Sequence, residues 1–281
     1  MTYCCPFWGC ENDRPELFVK KVLSAQYGGI EIFLPPPSAS FTEIFIEKLE
    51  DILLRNPGFI FIAQQLTAPD NDTVDAYISR MKKSLTTLAA YQPSFINSHT
   101  GKDYFSFDDN CKVIEAALNI SSKSGIRILH ETHRGRFSFH AATLLPYLKK
   151  FPELELVGDF SHFCTVSESL LQDQEEIIQQ IIPHVSHIHA RVGYEQSPQV
   201  NNPAAPEWQH HVSVFINWWK KIIMYKQMKG WKKMTITPEF GPAPYMPSLP
   251  ITLEPLSNQW QNNIFMMNKL KEAFQSNVLY L

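Results

Sequence analysis

DDNCKVIEAALNISSKSGIRILHETHRG, residues 108–135, is the stretch on which the fold turns. It opens as an amphipathic run of helical character, stops at Gly125, and restarts as the short β-rich run "IRIL" before breaking into His130, Glu131, His133 and Arg134, with Arg136 just beyond it. Amphipathic run, glycine, short apolar run and polar exit together make the unit of an α/β protein.

Outward from this stretch the same rhythm holds to both ends of the chain. Strands are predicted in "TYCCPFWG", "IEIFLP", "FIFIAQQLT", "SFINSHTG", "IRILHETHRG", "LELVGDFSHF", "SHIHARVG" and "KMTITPEFG". Helices are predicted between them: "RPELFVKKVLSAQYGG", closed by Gly28-Gly29, then "FTEIFIEKLEDILLRNPG", "DTVDAYISRMKKSLTTLAAY", the quoted "DDNCKVIEAALNISSKSG", "FHAATLLPYLKKFP", "SESLLQDQEEIIQQIIPHV" and "EWQHHVSVFINWWKKIIMYKQMKG". A last amphipathic helix is predicted in "SNQWQNNIFMMNKLKEAFQ". Eight βα units predict a (β/α)8 TIM barrel, with residues 1–281 as one domain. An open doubly wound sheet is disfavoured, because "CCPFWGCEND" after the first strand has no Gly-rich phosphate turn. The Pro-rich pieces "LPPPSAS" and "GPAPYMPSLPITLEP" read as loops after the second and eighth strands.

Composition narrows the partners. With 44% hydrophobic and 19% charged residues the chain has material for a large core, and its formal charge of −3 offers no general attraction to nucleic acid or anionic lipid. The lysine pairs at Lys20-Lys21, Lys82-Lys83, Lys149-Lys150, Lys220-Lys221 and Lys232-Lys233 read as solvated faces. Cys4, Cys5, Cys10, Cys111 and Cys164 are odd in number and lack metal-type spacing, and no basic-then-apolar leader follows Met1. The expectation is a soluble protein in the reducing cytoplasm, with no membrane partner, since no window approaches the ~18 apolar residues of a span.

In such a barrel the chemistry lies where the strands end. Glu131, Asp159, His189 and Glu239 stand at the ends of the fifth to eighth predicted strands, spaced by 28, 30 and 50 residues. Adjacent strands lie about 4.8 Å apart, so four such side chains come within reach of one cation. Three carboxylates and one imidazole favour Mn²⁺ or Mg²⁺, with Co²⁺ or Zn²⁺ as alternatives. Taken singly, each carboxylate also suits a surface or capping role, and His189 a satisfied core position.

The order "HETH", "GDFSH", "HIHAR", "TPEFG" resembles the xylose isomerase-like TIM-barrel superfamily, the sugar phosphate isomerase/epimerase group, along essentially the whole chain. The resemblance implies Glu131, Asp159, His189 and Glu239 as ligands of one divalent metal, with Glu131 and Glu239 also the acid/base pair. It matches His162 to a histidine that contacts substrate or a second metal. The implied activity is metal-dependent isomerisation or epimerisation of a sugar or polyol by proton abstraction next to a carbonyl. Dehydration of a keto-polyol and sugar binding without turnover are the alternatives. The superfamily also holds apurinic endonucleases, but this chain has Gln64 and Gln65 at its third strand and no Asp-x-His after its seventh.

Further substrate contacts are expected from His99, at the end of the fourth strand, and from Arg191, which shares strand parity with His189. His133, Arg134 and Arg136 suit a phosphate or carboxylate on the substrate, or else solvent. Trp8, with Phe7, suits an apolar wall against a sugar or an ordinary core. His130 is assigned to packing or support, and Trp218-Trp219 to core or interface. "HETH" is not a zinc-protease helix, because its histidines are three apart and Gly135 follows. Cys164 has no arrangement that would activate a nucleophile.

Overall fold

The computed structural model of the protein describes residues 1–36, 39–67 and 73–275; Pro37 and Ser38 of the first Pro-rich loop, and the start of the third predicted helix, lie outside them. The strands are β1 (Thr2–Pro6), β2 (Gly29–Ile32), β3 (Ile60–Gln65), β4 (Phe95–Ser98), β5 (Ile128–Glu131), β6 (Leu156–Gly158), β7 (Val185–His189) and β8 (Thr235–Thr237). They close in sequence order into a parallel barrel, the single-domain (β/α)8 architecture that the rhythm predicts. The helices are α1 (Pro15–Ser24), α2 (Ser40–Arg55), α3 (Val74–Ala90), α4 (Phe107–Ser124), α5 (Ala141–Lys150), α6 (Phe160–Ser167), α7 (Glu175–Ile181), α8 (Gln209–Met228) and α9 (Gln259–Gln275). No described helix is long and apolar enough to cross a membrane.

Contacts gather into two compact units. The first, residues 2–131 and 135–138, holds β1–β5 and α1–α4. The quoted stretch behaves here as its residues dictate. Ser106 caps α4 by accepting from Asp109 N at 3.1 Å, and Gly125 ends the helix in the left-handed conformation, φ 73°, that a Cβ disfavours. Gly28-Gly29 does not close α1, which ends at Ser24. Gly29 instead starts β2, where an added Cβ would lie 2.7 Å from both Cys4 Sγ and the Ile60 carbonyl oxygen, so the close approach of three strands excludes any side chain. Phe7 packs on Phe18 and Phe41, with ring centroids 4.9 and 5.0 Å apart, and is therefore core rather than a wall for a ligand. Trp8 is half-buried at the β1 exit.

The second unit holds residues 132–134 and those from Phe139 onward, with β6–β8 and α5–α9. Two expectations are corrected. "FSHF" does not continue the sixth strand: β6 ends at Gly158, and Asp159 caps a helix by accepting from Ser161 N at 3.0 Å. A carboxylate two residues before a free backbone N–H outweighs the β preference of the phenylalanines. The helix predicted through "SESLLQDQEEIIQQIIPHV" forms only over α7 and a following 3-10 turn, Ile182–His184, because Leu171 adopts φ 57° and breaks the run. Before α8, Pro206–Trp208 makes a 3-10 turn, and His210 and His211 open the helix as expected. Trp218 and Trp219 are buried, Trp218 edge-on to Phe160 and Phe215.

One irregularity positions the site. Leu156 pairs with Val185, but Val157 pairs with His187, so β7 carries one extra residue at Ser186. The shifted register runs on to bring Asp159 level with His189.

Candidate metal centre

The first unit holds a buried polar chain that leads to Glu131. Gln64 donates to Glu31 Oε1 at 3.2 Å, and Asn97 donates from Nδ2 to Glu31 Oε1 at 3.0 Å and to Glu131 Oε2 at 2.8 Å. His99, level with Glu131 across β4 and β5, donates from Nε2 to Glu131 Oε2 at 3.0 Å. Arg136 Nη2 donates to His99 Nδ1 at 3.4 Å, which fixes the tautomer that leaves Nε2–H toward the carboxylate. Ser138 donates to the Glu131 carbonyl. One oxygen of Glu131 thus takes two hydrogen bonds, which favours its ionised form.

Within the second unit, Thr132 donates from Oγ1 to the Asp159 carbonyl at 2.9 Å and accepts from Asp159 N at 2.8 Å. Asp159 Oδ1 accepts from the backbone and hydroxyl of Ser161, while Oδ2 accepts from Arg191 Nη2. Arg191 is 1% exposed and Asp159 fully buried, so this is a desolvated, hydrogen-bonded ion pair. The same guanidinium donates from Nη2 to His162 Nε2 at 2.8 Å and from Nε to Ser161 Oγ at 3.3 Å, and its Nη1 lies 3.8 Å from Glu239 Oε2. His189 Nδ1 lies 2.7 Å from Glu239 Oε2. Cys164 is held well above the usual thiol range, by burial first and the Asp159 charge second, and is no nucleophile.

Within the second unit Asp159, His189 and Glu239 each offer one ligand atom, and these atoms lie within 4.8 Å of one another; Glu131 ends β5 in the first unit. All four residues are buried. Both ring nitrogens of His187 already face hydroxyls, Thr235 Oγ1 at 2.7 Å and Thr237 Oγ1 at 3.0 Å, which suits support better than ligation.

The remaining candidates separate. His162 packs against His133 with ring centroids 3.9 Å apart and planes tilted by 46°, and Tyr245 brings its hydroxyl to 3.5 Å from His133 Nε2. Arg191 serves Asp159, and Arg136 serves His99. Arg134 is exposed, its guanidinium 5.1 Å from the Tyr245 ring centre. His130 is buried, bonded to Thr100 Oγ1 at 2.7 Å and edge-on to Phe137, in keeping with a supporting role. Glu31, Asn97 and Tyr245 were not anticipated. A signal existed for the first two, polar residues set in apolar runs, Glu31 alone in "IEIF" and Asn97 beside Ser98 in "FINS".

A family model described as xylose isomerase-like TIM barrel matches residues 19–214, a span that contains Glu131, Asp159 and His189 and stops before Glu239. No curated protein matches the chain. Among solved structures it is similar to a D-tagatose 3-epimerase-like protein, at 14% identity and TM-score 0.66 over 98% of this chain and 97% of that one. It is similar to a probable 3-DHS dehydratase, AsbF of Bacillus anthracis, at 14% identity and TM-score 0.61 over 96% and 99%. A xylose isomerase-like TIM barrel protein from Mycobacterium smegmatis in complex with magnesium gives 12% identity and TM-score 0.61 over 97% of each chain. At such identities the structural likeness speaks to the fold alone. The family match covers most of the sequence, and the chain belongs to the xylose isomerase-like TIM barrel family.

Proposed function

We propose that residues 1–281 form one catalytic unit, a divalent-metal-dependent isomerase or epimerase of a sugar or polyol that works by removing a proton next to a carbonyl. The observation that carries this reading is that Glu131, Asp159, His189 and Glu239 stand at the ends of β5 to β8, the ligand atoms of the last three within 4.8 Å of one another. The donor set fits a cation: three carboxylates and one imidazole are oxygen-rich, and Arg191 offsets only part of their charge. Mn²⁺ or Mg²⁺ suits it best, with Co²⁺ or Zn²⁺ next, and Glu131, Asp159, His189 and Glu239 would hold it. When bound, such an ion supplies Lewis-acid stabilisation of negative charge on substrate oxygens.

Glu131 and Glu239 are the carboxylates that take and return the proton. They are held differently, Glu131 by Asn97 and His99, Glu239 beside His189 and Arg191. His99, His162 and His133 face the substrate in this reading, while Arg191 holds Asp159 ionised. Trp8, Arg134 and Arg136 are assigned to the substrate's periphery. The likeness to an epimerase-like protein and to a magnesium complex agrees with this in kind.

Metal analysis after dialysis, followed by solvent deuterium exchange into ketoses and keto-inositols, tests the reading. A stoichiometric metal, lost in Glu131→Gln and Glu239→Gln, with deuterium appearing beside the carbonyl, is expected. Metal retained in both variants overturns the centre. Metal without exchange into any candidate overturns the catalysis in favour of a binding barrel, and release of water from the product marks a dehydratase.

A further inference from the structure

Three arginines stand near the ends of β5 and β7, and two of them have clear employment within the protein: Arg191 pairs with Asp159, and Arg136 donates to His99 and to the Gly135 carbonyl. Arg134 differs. Among the described residues its side chain forms no hydrogen bond or ion pair, and its guanidinium lies 5.1 Å from the centre of the Tyr245 ring. That ring also lies 4.8 Å from the Arg191 guanidinium, so the two cations share one aromatic platform and are at most about 10 Å apart. The loop beneath is shaped to present Arg134. His133 Nδ1 donates to the Arg134 carbonyl, its ring packs at a tilt against His162, and Gly135 turns the chain at φ 77°.

We infer that Arg134 is the recognition point for an anionic group on the substrate, making the substrate class an acidic sugar or polyol, carboxylated or phosphorylated. A guanidinium held over an aromatic face loses little freedom on binding, and its donors match both kinds of oxyanion in a two-pronged bond. Arg134 stands no more than about 10 Å from Arg191, which in turn touches Asp159, so an anion held there lies within reach of a short polyol engaged at the ligand cluster. The inference rests on the reading of that cluster as a metal centre.

The test titrates metal-loaded, dialysed protein by calorimetry with gluconate, glucitol 6-phosphate and neutral glucitol, with metal content measured in every sample. At least one anionic probe is expected to bind about tenfold or more tightly than glucitol. In Arg134→Gln that advantage disappears while metal content stays unchanged. Preference for gluconate alone assigns a carboxylate, and for glucitol 6-phosphate alone a phosphate. Equal affinity for the three probes, failure of both anions to bind, or an advantage that survives Arg134→Gln overturns the inference. Protein that takes up no metal overturns the underlying reading instead, and the anion ratio in that sample still reports on Arg134.

Discussion

Arg191 Nη2 donates to Asp159 Oδ2 with both side chains removed from solvent, so the carboxylate that caps α6 is also neutralised from β7 side of the barrel. Removing one member of such a pair leaves the other as an uncompensated buried charge. Arg191→Met should therefore cost metal-free protein about 3–5 kcal/mol in urea unfolding, with Arg191→Lys recovering part of it. A loss below about 1 kcal/mol would show that Asp159 finds its stabilisation elsewhere.

Asn97 makes a different kind of prediction, because its amide separates two buried carboxylates by donating to both. Asn97→Asp replaces that donor with a third acidic group, and one of the three must hold its proton above the usual carboxylate range. The native state then binds more protons than the unfolded chain near neutrality, so stability rises as pH falls. About 1–3 kcal/mol should be lost at neutral pH and regained on acidification toward the raised pKa, whereas Asn97→Leu should show a loss without that recovery. Denaturation midpoints measured across pH decide between them.

These two contacts mark the boundary of what the sequence discloses. Glu131, Asp159, His189 and Glu239 could be picked out because each occupies the same place in its βα unit, and a period is a local property. Arg191 could not be assigned to Asp159, since their meeting depends on the extra residue at Ser186 that shifts the β6–β7 register. Asn97 and Glu31 lie 66 residues apart, and nothing near either names its partner. "FSHF" misled for a related reason: two phenylalanines favour a strand, and only the backbone N–H of Ser161, already turned toward Asp159, makes it a helix.

Gly29 carries a prediction about closure of the first unit. An added Cβ would stand 2.7 Å from Cys4 Sγ and the Ile60 carbonyl oxygen and 2.8 Å from Ile60 Cβ, contacts that force neighbouring strands apart. Gly29→Ala should cost about 1–3 kcal/mol through overpacking. Because two of those three contacts belong to Ile60, one with its backbone, Cys4→Ala should restore only part of the loss in the double variant, and full restoration would place the strain on the sulfur alone.

The cysteines give a prediction about access and charge together. Cys4, Cys5, Cys10, Cys111 and Cys164 are all buried and unpaired by disulfide. Burial raises the Cys5 thiol well above its usual range, and Cys10 is pushed up to about 11, by burial first and by Asp13 second. At about pH 8 that leaves roughly one Cys10 in a thousand as thiolate, against about a quarter of an unperturbed cysteine. Native protein should react with Ellman's reagent at least about a hundredfold more slowly than protein in guanidinium chloride, where all five thiols titrate together. Raising the pH toward the Cys10 value should accelerate that residue's modification before any unfolding is visible by circular dichroism. A thiol that reacts rapidly in the native state near neutrality would mean that its burial is transient, with local opening rather than thiolate supply setting the rate.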